Sequence, residues 1–316
     1  MSNAMVSVCV FSYNHEKYLR QCLDGIVMQQ VSFPFEVRVH DDASTDSSQE
    51  IIKEYQARFP DIIKPILQSQ NQYSKERRIF KNFILPWCEG EYIAFCEGDD
   101  YWTDPLKLQK QIDYMEAHPD CSMCFGNAVE HWSDNSQSDK LFSHIEDRDY
   151  TGVELSDQWL VPTASVVFRK SITQCELFDS FSSNRKLSYG DLPLWLTCAT
   201  RGTIHGFSDT FSVYRRVNNG FMLSMNAQRR LSLGDTRVEL FKLFGKEYRN
   251  TSIRVALDHY QSAFFDARKE RKPELVVKSL WKSIYTRLAH PDIAFSRFKA
   301  FMHKRMQKLS NSTKKS

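Results

Sequence analysis

Over its first 120 residues the chain switches repeatedly between two hydrophobic periods. "MVSVCVFSY" (residues 5–13) is an unbroken apolar run of strand length, and "NHEKYLRQCLDGIVMQQ" (14–30) carries Tyr18, Leu19, Cys22, Leu23, Ile26 and Val27 at helical spacing. The pattern then recurs. "FEVRVHDDAS", "IIKPILQ" and "EYIAFCEG" read as further strands. Between them, "TDSSQEIIKEYQARFP" reads as a helix capped by Thr45 and Asp46, with Ile51, Ile52, Tyr55 and Phe59 on one face and a stop at Pro60. "SKERRIFKNFILPWCEG" (74–90) reads as another helix. Strands that are apolar on both faces and joined by helices can only be buried on both faces, so the fold class is α/β with a mostly parallel sheet flanked by helices. Ligands of such sheets bind beyond the carboxyl ends of the strands. The polar clusters "SYNHE", "HDDAS" and "EGDD" each follow a predicted strand, so they should share one crevice.

Further along, "LKLQKQIDYMEAHP" is predicted as a helix and "CSMCFGNAVEHW" as a strand. Residues 133–150 are polar and predict a loop or short hairpin. "LVPTASVVFRK" (160–170) predicts a strand, "YGDLPLWLTCATRG" an acid followed by a helix, and "HGFSDTFSVYRRVN" one or two closing strands. From residue 226 on, all the patterns are helical. This divides the chain into a 5–225 α/β domain and a 226–316 C-terminal helical extension ending in a basic tail, with residues 1–4 resembling a cloning remnant.

A formal net charge of +3 on 316 residues is too small for a chain held on nucleic acid by counterion release. The charge is uneven, however: residues 296–316 hold seven lysines and arginines and no acid. Such a tail is either a solvated terminus or a point of peripheral contact with an anionic membrane. No run of about 18 apolar residues predicts a transmembrane helix, and no basic-then-apolar signal pattern opens the chain, so a cytoplasmic location is expected. The eight cysteines sit mostly in apolar runs, as small buried hydrophobes of a reducing compartment. Cys121 and Cys124 form a lone CxxC inside a predicted strand, which does not predict zinc.

The chemistry concentrates in "FCEGDDYWTDP", where Glu97, Asp99 and Asp100 fall within four residues behind an apolar strand. Packed carboxylates repel each other and resist desolvation, so they either face water or sit under a cation. Asp104 and Pro105 read as the cap and first position of the next helix.

With "FSYNHEKYLRQCLDGIVMQQ", "VRVHDDASTDSS", "NFILPWCEGEYIAFCEGDDYWTDPLKLQKQ" and "YGDLPLWL" in this order, residues 6–220 resemble a GT-A fold, inverting nucleotide-sugar transferase of the family 2 glycosyltransferase type. The resemblance implies that Phe11, Ser12 and Tyr13 grip the nucleoside. It implies that Asp42, supported by Asp41, accepts the N3 hydrogen of a uracil, which favours a UDP-sugar donor. Glu16, Arg78 and Asn82 become nucleotide contacts, although Glu16 equally suits a first helical turn and Arg78 a solvated helix face. Asp99 is implied at the ribose and the metal and Asp100 at the metal, which is Mn2+ or Mg2+; Glu97 stands where an aspartate is common. Asp191 is implied as the general base, with a helix cap as its plainer reading, and Arg215 or Arg216 as a diphosphate contact. The acceptor implied is a hydroxyl on a glycan or lipid-linked glycan of a bacterial surface polysaccharide. The QxxRW motif of processive synthases is absent, which favours transfer of a single sugar. A nucleotidyltransferase would need a Gly-rich phosphate loop with a lysine, absent from "FSYNHEKYL". A binding module without turnover would have no use for Glu97, Asp99, Asp100 and Asp191 together.

Overall fold

Strand register decides whether the alternating pattern builds a parallel sheet. The computed structural model describes residues 4–76, 78–217 and 225–296. Its strands are β1 (Val6–Ser12), β2 (Phe35–Asp41), β3 (Ile63–Leu67), β4 (Tyr92–Glu97), β5 (Tyr101–Trp102), β6 (Cys121–Trp132), β7 (Lys140–Leu141), β8 (Arg148–Asp149), β9 (Val167–Arg169) and β10 (Thr203–Arg216). Its helices are α1 (Leu19–Val27), α2 (Ser48–Arg58), α3 (Tyr73–Glu76), α4 (Lys107–Ala117), α5 (Gly152–Asp157), α6 (Glu176–Ser183), α7 (Asp191–Arg201), α8 (Ala227–Phe244), α9 (Arg249–Lys269) and α10 (Pro273–Ala289). The sheet order is β3-β2-β1-β4-β9-β6-β10-β5. β1 to β4 run parallel, and so do β6 and β10. Because β9 is antiparallel to both β4 and β6, those two share a direction, and the sheet is mostly parallel as expected.

The apolar runs explain the burial. Val6, Val8, Cys9 and Val10 of β1 are all inaccessible, as are Val37 and Val39 of β2 and Ile93, Ala94 and Cys96 of β4. The register then fixes where the polar ends come out. Phe11 pairs with His40 on one side and Glu97 on the other, and Ser12 pairs with Asp41, so three carboxyl-terminal strand ends lie level.

Two local expectations give way to tertiary packing. Residues 74–90 form no single helix: α3 is followed by a π-turn at Phe80–Ile84 and a 3₁₀ turn at Leu85–Trp87. Phe80 is drawn edge-on against Phe95, at 4.9 Å between ring centres, and Pro86 cannot continue an α-helix. In residues 160–170 only Val167–Arg169 is strand. Pro162 precedes a 3₁₀ turn at Thr163–Ser165, in which the Ser165 hydroxyl donates to the Pro162 carbonyl. Residues 133–150 are mostly loop, as expected, with β7 folding back antiparallel on β6 and β8 pairing with β10.

Lys107 shows how tightly the region behind the acids is packed. Fully buried, it holds its ammonium 4.2 Å from the centre of the Trp102 ring and donates to Gln111 Oε1 at 2.8 Å. Burial pushes its pKa down to about 7. Between that value and the ordinary lysine range the unfolded chain binds more protons than the folded one, so stability climbs with pH through this window. We expect the parent to gain roughly 2 kcal/mol between about pH 7 and pH 9 in urea unfolding, and Lys107→Met to remove most of that slope. An unchanged slope in the variant would mean that Lys107 is hydrated in the folded state.

The chain divides into two units, Met1–Ser183 with Gly190–Leu223, and Asn184–Tyr189 with Ser224–Ser316. The sheet lies in the first. In the second, Asn226 caps α8 by accepting the Arg229 N–H at 2.9 Å, and Gly245, at φ +105°, ends it. Tyr260 of α9 and Lys282 of α10 both donate to Asp235 Oδ1 of α8, at 2.8 and 2.6 Å. Asn184–Tyr189 joins these helices through the Ser188 N–H, which donates to the Thr236 hydroxyl at 2.9 Å. No sequence signal set that hexapeptide apart from its surroundings.

Candidate active site

The loops after β1 and β2 are laced together by short polar side chains. Asn14, at φ +56°, turns the chain before α1 and accepts the Thr45 N–H at 2.8 Å. The Asn14 and His15 amides donate to the Ser44 and Ser48 hydroxyls, at 2.8 and 3.0 Å. Glu16 accepts the Ser47 N–H at 3.0 Å, while its own N–H donates to Asp46, whose other oxygen accepts the Ser48 N–H. Glu16 is therefore engaged at the start of α2. Helix α1 itself begins at Leu19, one residue after Tyr18, the first apolar position of the helical spacing, and five after the start of the 14–30 stretch.

The predicted nucleoside loop lies above this lacing. Phe11 sets its ring edge-on to Phe95, 5.4 Å between centres, and its carbonyl accepts the Gly98 N–H at 2.8 Å. The Ser12 carbonyl accepts the Asp42 N–H, and its buried hydroxyl has no hydrogen-bond partner. Tyr13 is 46% exposed. Both oxygens of Asp42 accept backbone amides, Gln72 at 2.6 Å and Tyr73 at 3.0 Å, and its 4% exposure leaves it only partly open to a ligand. Asp41 is occupied in turn by the Ser44 N–H at 2.9 Å and the Gln49 amide at 2.8 Å. Arg78 donates to the Ser183 carbonyl at 2.8 Å, and the Asn82 N–H bonds the Arg78 carbonyl one turn back.

The "EGDD" turn is clamped from both sides. A Cβ on Gly98 would stand 2.6 Å from His15 Nδ1 and 3.0 Å from the Phe11 carbonyl, so only glycine lets the turn cross the β1 loop so closely. On the far side, β5 pairs with β10 and brings Arg215 over the acids. The Arg215 N–H donates to Asp100 Oδ1 at 2.8 Å, its Nε to the Asp99 carbonyl at 2.7 Å and its Nη2 to Gln21 at 2.8 Å. Tyr18 and Tyr101 cover the guanidinium at 4.8 and 4.9 Å. Arg216, on the opposite side of the strand, bonds the buried carboxylate of Glu130 instead. Strand alternation thus separates two arginines that the sequence left equivalent.

The acids act on each other. Burial, then the charges of Asp99 and Asp191, push the Glu97 carboxyl up to about 8, and it shares a hydrogen bond with Asp100. Asp100, 2% exposed, is raised well above the usual carboxylate range by burial and by Glu97 and Asp99. Asp191 opens α7 and reaches this cluster through its field at Glu97. The Tyr214 hydroxyl is held above its ordinary range by burial and, among its neighbours, by the same three acids Glu97, Asp100 and Asp99. Sequence reading missed Tyr214, Gln21, Tyr18 and Tyr101. Tyr214 and Tyr101 stand beside "RR" and "DD", which could have pointed to them, whereas Gln21 and Tyr18 carried no such signal.

Glu97, Asp99 and Asp100 thus gather at the carboxyl end of β4, where the charges of Asp99 and Asp191 bear on Glu97, and such a concentration of buried negative charge is one that a cation relieves. Comparison with known proteins decides the family, because residues 7–175 match the model of glycosyl transferase family 2. The chain belongs to glycosyl transferase family 2. An uncharacterized protein of Mycobacterium tuberculosis is 36% identical to this family 2 chain over 236 residues, covering 71% of this chain and 62% of the relative. The chain therefore spans less than two thirds of that relative's length. Staphylococcus aureus TarS, a poly(ribitol-phosphate) β-N-acetylglucosaminyltransferase, is 35% identical over 115 residues, which is 35% of this chain and 19% of TarS. The crystal structure of TarS 1-349 in complex with UDP-GlcNAc has a similar fold, with a TM-score of 0.66 at 18% identity, covering 89% of this chain and 81% of that one. The mannosyltransferase PcManGT of Pyrobaculum calidifontis, in complex with GDP-Man and Mn2+, matches with a TM-score of 0.58 at 15% identity over 94% and 84% of the two chains. The family 2 chain has the GT-A fold that its motifs implied.

Proposed function

We propose that this family 2 chain is an inverting, metal-dependent glycosyltransferase that moves a single sugar from a UDP-sugar to a hydroxyl of a glycan or lipid-linked glycan. The observation that carries the reading is the crowding of Glu97, Asp99 and Asp100 at the end of β4, with the charges of Asp99 and Asp191 acting on the buried Glu97. Like charges are held together there against desolvation, an arrangement that a divalent cation and a bound diphosphate relieve. Among the described residues no three metal-binding side chains surround one point. That fits Mg2+ or Mn2+, which take one or two carboxylates and leave their other positions to phosphate and water. Asp99 and Asp100 would hold the ion, and Asp99 also the ribose. When bound, the ion supplies charge neutralisation for the departing diphosphate.

The remaining roles fall to the chain's own groups. Phe11, Ser12 and Tyr13 line the nucleoside side, and Asp42 receives the uracil N3–H with the acceptor capacity its two amides leave. Arg215, fixed by Asp99 and Gln21, has N–H groups left for a phosphate oxygen. Asp191 takes the acceptor proton as the acceptor oxygen forms its bond to the anomeric carbon. The bond from that carbon to the phosphate oxygen breaks on the opposite face. Glu16, Arg78 and Asn82 are further nucleotide contacts. TarS and PcManGT, which bind UDP-GlcNAc and GDP-Man, support a nucleotide-sugar donor in general. The basic 297–316 segment, which lies outside the described residues, makes a peripheral contact with an anionic membrane.

Donor class is tested by calorimetric titration with UDP, CDP and GDP in the presence of manganese. We expect UDP to bind at least roughly tenfold more tightly than CDP, because uracil N3 carries a hydrogen for Asp42 and cytosine N3 does not. Equal affinities would remove Asp42 from base recognition.

A further inference from the structure

Helix α10 is amphipathic in the reverse sense for a helix in water. Its buried positions are Leu275, Ser279, Ser283 and Thr286, three of them hydroxyl residues. Its outward positions are Val277, Leu280, Trp281, Ile284, Tyr285 and Leu288, each between 48% and 76% exposed. These six recur at i, i+3, i+4, i+7, i+8 and i+11, which is one continuous stripe along the helix. A surface helix normally buries such a stripe, and an apolar patch of this extent calls for a cover.

What borders the stripe says what the cover is. Lys278 flanks it on one side and Arg287 on the other, both exposed, while the helix's one acid, Glu274, sits in the first turn. Trp281 and Tyr285 stack within the stripe, 5.2 Å between centres and 12° between planes. They are the residue types that settle at lipid headgroups, with an apolar body and a polar edge. Beyond the helix, Phe295 is 65% exposed, and the sequence of 297–316 adds seven basic residues and no acid. A second copy of the chain would bring an equally basic rim against this one, and the like charges would oppose face-to-face pairing. An anionic lipid surface matches both the apolar stripe and its basic border.

We propose that the outward face of α10 is a membrane-docking surface, lying in the headgroup plane of an anionic leaflet with Trp281, Ile284 and Leu288 turned into the lipid. This deepens the peripheral-contact reading of the basic tail by naming the surface that inserts, and it is independent of which donor is used. The tail alone is an electrostatic contact, which one apolar stripe converts into stable attachment, since two weak signals hold where one does not.

The full chain is floated with phosphatidylcholine vesicles and with vesicles that also contain phosphatidylglycerol. We expect it to rise with the anionic vesicles, with a blue shift of tryptophan emission. Trp281→Ser combined with Leu288→Ser should lower partitioning roughly tenfold or more, with unchanged circular dichroism and unchanged release of UDP from a donor in vesicle-free solution. Three results would overturn the proposal. The chain could ignore both vesicle types, or the double variant could bind as the parent does, which would leave the tail as the whole attachment. Light scattering could instead reveal a dimer that the double variant dissolves. None of these touches the glycosyltransferase reading, which turnover in solution tests separately.

Discussion

Asp191→Asn leaves the affinity for UDP within about twofold of the parent and lowers sugar transfer by roughly a thousandfold. The expectation follows from where the residue sits. Asp191 opens α7, and its Oδ1 accepts the neighbouring Leu192 N–H at 2.8 Å, a bond that asparagine's carbonyl oxygen can also accept. The substitution preserves shape and the local hydrogen bond but removes the lone pair able to take a proton at neutral pH. It also removes one of the charges that raise Glu97. A pure capping role predicts something else, because asparagine caps helices as well as aspartate does and transfer would then survive. Measuring transfer and UDP binding on the same preparation separates the two readings.

Asp100→Asn is expected to lower metal-stimulated turnover by at least roughly a hundredfold while making the fold slightly more stable. Asp100 is almost wholly buried, accepts the Arg215 N–H and is pressed by Glu97 and Asp99. Its folded pKa is raised above the unfolded value. An aspartate of that kind contributes fully only below its unfolded pKa, and the contribution is lost as pH rises through the folded pKa. Above the unfolded pKa the buried carboxyl is therefore a liability to the fold, and asparagine removes it while keeping an acceptor for Arg215. A manganese titration of turnover, read beside a urea unfolding curve, checks both halves. Loss of activity together with loss of stability would make Asp100 a structural residue.

The sequence carried the fold well because the apolar runs are buried on both faces. Val6 to Val10, Val37, Val39 and Ile93 to Cys96 leave no reading other than interior strands, and the acids at their ends had to emerge on one side. What it could not carry was set by contacts distant in the chain. The π-turn at Phe80 depends on Phe95, and the short reversed β9 on where β4 and β6 lie. Arg215 and Arg216 are neighbours in sequence, yet one lies over Asp99 and Asp100 and the other is bonded to Glu130. Asp42 was legible as an acid at a strand end, but not as the acceptor for two amides thirty residues on. In α10 the spacing correctly gave a helix. Which side of it faced outward depended on Asp235 and Tyr260, residues that no periodicity connects to it.

The central claim, that Glu97, Asp99, Asp100 and Asp191 form a metal-dependent sugar-transfer site, is tested most directly by release of UDP. The full chain is incubated with a panel of UDP-sugars and glycan acceptors, with manganese or magnesium and then with EDTA, and free UDP is measured over time. The account predicts release with at least one donor that rises with the divalent ion, stops with EDTA, returns when the ion is restored, and is missing from Asp191→Asn. Release that EDTA leaves untouched, or that Asp191→Asn carries out at the parent's rate, would contradict it.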